Sequence, residues 1–174
     1  MRARARVVSA RGSTVLIAST VLMALTLTMA SCGPAVDLKS GLQVLDVSTG
    51  WFDNGIVNGQ NRLVPSVSFK LKNTSSQTLN VLQINALFRR VTETTEWGSA
   101  FIPVNGSEGL GPGATTPQLT ARSQHGYTGS EQSRDQMLHN SSFIDATVEL
   151  FAKYGSTQWT KVAEVPVTRQ LITK

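Results

Sequence analysis

Histidine and cysteine, the side chains most used in nucleophilic and metal chemistry, are almost missing from these 174 residues: there are two histidines, His125 and His139, and one cysteine, Cys32. A catalytic histidine needs a nucleophile within reach and a third group to orient it. Neither histidine accompanies a Gly-x-Ser-x-Gly elbow: His125 lies in Ser123-Gln124-His125-Gly126-Tyr127 and His139 follows Met137-Leu138. A zinc site wants several His or Cys ligands at close spacing, and a lone cysteine has no intramolecular disulfide partner. No catalytic residue, metal or cofactor is therefore expected, and the chain is read as a non-enzyme.

Excess charge is lacking too. The formal net charge is +5, but four of the 16 lysines and arginines are Arg2, Arg4, Arg6 and Arg11, leaving 12 cations scattered among 11 carboxylates over the remainder. Counterion release on nucleic acid requires a concentrated basic patch, so no nucleic-acid partner is expected. The oxygen-rich stretch Asp53-Asn54-Gly55 with Asn58-Gly59-Gln60-Asn61 lacks the alternating carboxylates and terminal Glu of a calcium loop and is read as a long hairpin loop. Glu93 and Glu96 are read as solvated charges in a turn. Gly109 to Gly113 has no lysine of a phosphate loop and is read as a turn.

Uninterrupted apolar sequence is likewise short. The longest such run, Val15 to Ala30, has 16 residues including three threonines and a serine, below the roughly 20 that cross the hydrocarbon core. It follows the arginine-rich start and precedes the small residues Ala30 and Ser31, the three-part order of an export signal. Met29-Ala30-Ser31-Cys32 resembles the lipobox of bacterial lipoproteins, with Met29 where leucine is usual. The resemblance implies that residues 1–31 are cleaved and that Cys32 becomes a lipidated first residue. Residence in the bacterial cell envelope, with the membrane as a partner through that lipid, follows from the same resemblance. Gly33 stands where an aspartate would argue for inner-membrane retention, so outer-membrane delivery is favoured in a host that has one. More than one acyl chain is required for stable anchoring, since a single chain holds only marginally.

What remains is 143 residues, the size of one domain that buries about 68–70% of its unfolded surface. Residues 32–40 read as a short tether and residues 41–174 as the domain. Val67, Phe69 and Leu71 alternate with Ser66, Ser68, Lys70 and Lys72, which places one strand face on a core and the other in water. Asn73 to Gln77 reads as a turn leading into Leu82, Ile84, Ala86 and Phe88, so a hairpin is expected here. Ile144, Ala146, Val148, Leu150 and Ala152 alternate in the same way, and a turn at Tyr154 to Gln158 leads to Trp159 to Val167 as a second hairpin. Further strands are expected at Leu42 to Trp51, Trp97 to Val104 and Gln118 to Ala121. At most a short helical turn is expected in Ser130 to Asn140, with Ser130 as its cap. Pro65 and Pro166 mark edges, strand starts or bulges, since proline cannot donate to a ladder. The sum is an all-β protein: a single antiparallel immunoglobulin-like sandwich of about seven strands.

The run from Val67 to Phe88, a strand ending in Lys72-Asn73, a polar turn and a second core strand, resembles small envelope domains of the FxLYD and late-embryogenesis-abundant-like kind. Leu110-Gly111-Pro112-Gly113 is similar to the turn that follows there. The likeness spans Leu42 to Gln118, although Lys70-Leu71-Lys72-Asn73 stands where Leu-Tyr-Asp would follow Phe69. It implies an immunoglobulin-like fold and carries no reacting group.

Aromatic residues make up only 6% of the chain, and several flank turns. Trp51, Trp97, Tyr127 and Trp159 are therefore the candidates for a binding face, with closure of the core as the plainer role for the same rings. The function expected is a membrane-anchored, non-enzymatic binding or scaffold module acting on an envelope protein or other envelope component. The alternative is a carrier for a lipid or other apolar ligand, which calls for an apolar cavity between the sheets.

Overall fold

The period-two segments form strands whose apolar faces meet. In the computed structural model, which describes residues 35–105 and 108–173, nine strands make two sheets packed face to face. The expected all-β sandwich is the architecture found. Residues 1–31, read above as an export signal, and Cys32 lie outside the described residues.

The first sheet contains β1 (Leu42–Val57), β2 (Gln60–Asn73), β5 (Leu119–Arg122), β6 (Tyr127–Gly129) and β9 (Leu171–Ile172). Its order is β5-β2-β1-β9, with β6 also on β2. The second, in the order β4-β3-β7-β8, contains β3 (Gln83–Arg90), β4 (Gly98–Pro103), β7 (Ala146–Lys153) and β8 (Thr160–Pro166). All pairings are antiparallel except β1 with β9, where Trp51 stands opposite Leu171. Val67, Phe69 and Leu71 from β2 face Ile84, Ala86 and Phe88 from β3 and Val148 and Leu150 from β7 in one buried cluster. At about 25 cal/mol per Å² of apolar surface removed from water, this layer is the main source of stability.

The expected hairpin between β2 and β3 does not form: the two strands belong to different sheets. Nine residues separate them, more than the roughly 2–5 of a hairpin loop. Among those nine, Leu79 and Leu82 are fully buried, so the segment crosses the core's end instead of turning back along β2. Asn73 directs the crossing. Its buried amide nitrogen donates to the carbonyls of Gln77 and Leu110, each at 2.7 Å, and its amide oxygen accepts from Ser75 N–H at 2.9 Å and from the Ser75 hydroxyl at 2.7 Å.

The hairpin lies elsewhere. β1 turns directly into β2 through Asn58-Gly59, with φ of 51° and 76°, the left-handed pair a two-residue hairpin turn requires. The stretch 53–61, read above as a long loop, is thus mostly strand, with a bulge between Asp53 and Ile56. Gly55 takes φ 76° there, and its N–H is held by the Asp53 carboxylate at 2.9 Å. The β7–β8 hairpin is present, with Leu150 opposite Ala163.

Two more boundaries move. The compact unit begins at Ala35, not at residue 41. Leu38 is buried under the sheets, α1 (Leu38–Gly41) is capped by the Asp37 carboxylate on Lys39 N–H at 3.0 Å, and Val36 N–H donates to the Tyr154 hydroxyl. The second helix, α2 (Arg134–Leu138), is capped by Ser133 rather than Ser130, and Gln136 completes a reciprocal capping box. Pro65 sits inside β2, opposite the gap between β5 and β6, where Ser123 N–H reaches its carbonyl at 3.0 Å. No ladder donor is needed at that position.

These connections give the sandwich two distinct ends. Leu42, Asn73, Gln83, Pro103 and Lys153 gather where the chain enters, since Leu42 pairs with Asn73, and Gln83 with both Pro103 and Lys153. The Asn58-Gly59 turn, β6, α2 and the Arg90–Ala146 pair form the far end. The eight residues of β3, at about 3.3 Å each, separate the ends by roughly 25 Å.

Candidate functional site

At the far end the sandwich is closed by rings. Trp51, fully buried in β1, meets Phe143 edge to face at 4.5 Å and 72°. Tyr127 lies 5.6 Å from Trp51 and Trp97 lies 6.1 Å from it. Tyr127 in turn packs 4.6 Å from Phe143 and 5.1 Å from Trp97. Offset and tilted pairs of this kind add about 0.5–1.5 kcal/mol each beyond their buried area. The Trp51 indole N–H has no hydrogen-bond acceptor among the described residues; its neighbours are ring faces, which are weak acceptors.

Cations cover the rings from outside. The Arg90 guanidinium lies 5.5 Å from the Trp97 ring centre and that of Arg169 lies 5.1 Å from Phe143. Arg169 grips Asp145 with two bonds, Nε at 2.6 Å and Nη2 at 3.1 Å. It also donates to the carbonyls of Leu138 at 3.2 Å and Phe143 at 3.0 Å. The hydrogen bonds to Asp145 raise its pKa above the usual arginine value. Arg169 is thus a clamp joining the C-terminal segment, the end of α2 and the approach to β7.

Between α2 and β6 the cluster opens into a bowl of about 160 Å³. Buried Met137 and Phe143 and half-buried Tyr127 form its floor, and Thr128, Gln132, Asn140 and Ser142 its rim. The Tyr127 hydroxyl is occupied by the Ile144 carbonyl at 3.1 Å, and the Asn140 amide oxygen by Ser142 N–H at 2.8 Å. On the rim, Thr128, Gln132 and Ser142 are exposed and Asn140 is half-buried. A neutral hydrogen-bonding rim over an apolar floor suits a small uncharged group. The volume is about half the roughly 300 Å³ at which preformed small-molecule sites begin.

The four aromatic candidates therefore divide. Trp51 is a core residue and offers no surface, because its flanking strand face is the inner one. Trp97 and Tyr127 are half-buried partners of Trp51, and Tyr127 alone of the four reaches the bowl. Trp159 stands at the opposite end, 40% exposed. Sequence reading missed Phe143, Met137, Asn140 and Gln132. The Ser133-x-x-Gln136 spacing marks the helix that carries Met137, but nothing local announces that Phe143 meets Trp51 across 92 residues of chain.

Polar groups elsewhere are engaged structurally. His125 Nδ1 lies 3.1 Å from the Trp97 carbonyl and His139 Nδ1 2.9 Å from that of Asp135. Asp53 pairs with Arg134 at 3.0 Å, tying α2 to β1. On the outer face of the second sheet, Glu149 pairs with Arg89 and Lys161, each at 3.2 Å, and Lys161 with Glu164 at 2.8 Å. The last bond lowers the Glu164 pKa and raises that of Lys161. No grouping of three or more His, Cys, Asp or Glu side chains suited to a metal occurs among the described residues.

No family model and no curated protein matches the chain. Three solved structures are similar at low identity. One is the Northeast Structural Genomics Consortium target SoR45, at 12% identity and TM-score 0.43 over 75% of this chain and 89% of that one. The putative ApaA protein from Bordetella pertussis is 15% identical with TM-score 0.42, over 74% and 93%. The AT1g01470 protein from Arabidopsis thaliana is 13% identical with TM-score 0.45, over 84% and 91%.

Proposed function

We propose that the chain is a lipid-anchored envelope protein that works by binding, holding its far end towards another envelope component. The observation that carries this reading is the placement of the two ends. Cys32 lies three residues before Ala35, a reach of at most about 11 Å, so acyl chains on Cys32 hold the entry end close to the bilayer. The bowl framed by Tyr127, Met137 and Phe143 lies at the other end, where it is free of the anchor. Two or more acyl chains keep such a domain on the membrane without a spanning helix.

The test is the mass of the N-terminal peptide from membranes of an expressing bacterium, beside a Cys32→Ser variant. Acylated Cys32, with the variant moving to the soluble fraction, is expected. An unmodified thiol on a soluble protein would remove the anchor from the reading. For the binding end, a photoreactive residue at Gln132 is expected to form an adduct with an envelope component in intact cells while one at Lys39 does not; equal labelling at both positions would sink the assignment of the far end.

A further inference from the structure

The turn that receives the start of the domain also carries an exposed tryptophan. Val36 N–H donates to the Tyr154 hydroxyl, and Tyr154 opens the turn that ends at Trp159. Trp159 is 40% exposed and packs edge-on against Phe101 of β4, itself 57% exposed, with ring centres 6.4 Å apart at 83°. The Lys153 ammonium lies 5.0 Å from the centre of the Trp159 ring. Val81, which leads into β3 at the same end, is 46% exposed. It holds φ 51°, a left-handed conformation that β-branched residues rarely adopt. Three apolar side chains at this end thus stay about half in water, each forgoing part of the roughly 1.5–3 kcal/mol that full burial would contribute.

We propose that this face, with Trp159, Phe101, Val81 and Lys153 as its contacts, docks on the headgroup layer of the membrane that holds the acyl chains of Cys32. The proposal rests on the lipid-anchor reading and adds an orientation to it. Tryptophan sits at membrane–water interfaces because its ring is apolar and its N–H polar, and lysine lays its stem along apolar surface while its ammonium meets phosphate. The connecting segment from Cys32 to Ala35 reaches about 11 Å at most, so the face is confined within reach of the lipid whenever the anchor is inserted. Confinement turns docking into an intramolecular step, and a patch too weak to hold a free protein suffices. Docked in this way, the domain directs the bowl of Tyr127 and Phe143 away from the bilayer.

Cys32 is the sole thiol, which allows a test that does not depend on cellular lipidation. The chain from Cys32 onward contains the compact unit Ala35–Lys174; it is coupled through that thiol to maleimide phospholipid in phosphatidylcholine vesicles, with brominated or ordinary acyl chains. Of the three tryptophans, Trp51 is buried and Trp97 belongs to the far-end cluster. Brominated lipid is expected to quench roughly a third of the fluorescence, the share of one tryptophan in three, and to leave Trp159→Phe unquenched. Equal quenching in both proteins, or none in the coupled wild type, overturns the proposal. The mass of the native N-terminal peptide reports separately on the anchor, so the two readings fail independently.

Discussion

Asn73→Ala is the sharpest probe of what joins the two sheets. The side chain is fully buried and takes part in four hydrogen bonds, two donated to the Gln77 and Leu110 carbonyls and two accepted from Ser75. Each such bond contributes about 0.5–1.5 kcal/mol net, and a buried group left without a partner costs about 1–3 kcal/mol. The Leu110 carbonyl also accepts from Leu79 N–H at 3.0 Å, so it keeps one partner, and Ser75 is partly open to water. A loss of roughly 3–4 kcal/mol is expected on these terms. At about 3 °C per kcal/mol for a domain of this size, the unfolding midpoint falls by roughly 9–12 °C. Thermal unfolding followed by circular dichroism, with urea titration to check that the slope is unchanged, gives the number. A shift under about 3 °C would mean that water replaces all four bonds and that Asn73 does not direct the crossing from β2 to β3.

Three further outcomes follow from the same geometry. A Cβ on Gly126 would lie 2.0 Å from the Leu63 carbonyl oxygen, which is backbone and cannot move aside cheaply, so Gly126→Ala is expected to cost at least about 2 kcal/mol in urea unfolding; a neutral effect would show that the gap between β5 and β6 is loose. Arg169→Ala removes the clamp on Asp145 and two carbonyls and is expected to lose about 1–3 kcal/mol, most of it from the carbonyls because the half-exposed ion pair itself contributes little; equal stability of Arg169→Lys and wild type would argue against the forked geometry. The Glu164 carboxyl, held low by the hydrogen bond from Lys161, contributes its stabilisation above its ordinary pKa and loses it as pH falls through the depressed folded value. NMR titration is expected to show Glu164 returning to the ordinary range in Lys161→Ala, and an unchanged value there would refute the pairing.

The faces of β2, β3 and β7 were legible because Val67-Phe69-Leu71, Ile84-Ala86-Phe88 and Val148-Leu150-Ala152 alternate strictly, and side-chain direction in a strand depends only on the local backbone. The Asn58-Gly59 turn was harder to see. Its dipeptide is a strong hairpin signal, but the flanking residues Asn54, Gly55, Gln60 and Asn61 lack alternation, so the stretch read as loop. The bowl was legible only through Tyr127, since Met137, Asn140 and Phe143 meet it by the docking of α2.

By itself, then, the sequence determined which side of β2, β3 and β7 leaves water and where the chain is polar enough to leave a strand. Only the tertiary structure decided that β2 and β3 part into different sheets, that Trp51 goes inside while Trp159 stays out, and that Ala35 to Leu38 belong to the domain. The reason is physical. Ladder hydrogen bonds join backbone groups that every residue carries, so period-two patterning specifies a buried face without naming its neighbour. The choice of neighbour is settled by the fit of distant side chains such as Asn73 against Leu110 and Arg169 against Asp145.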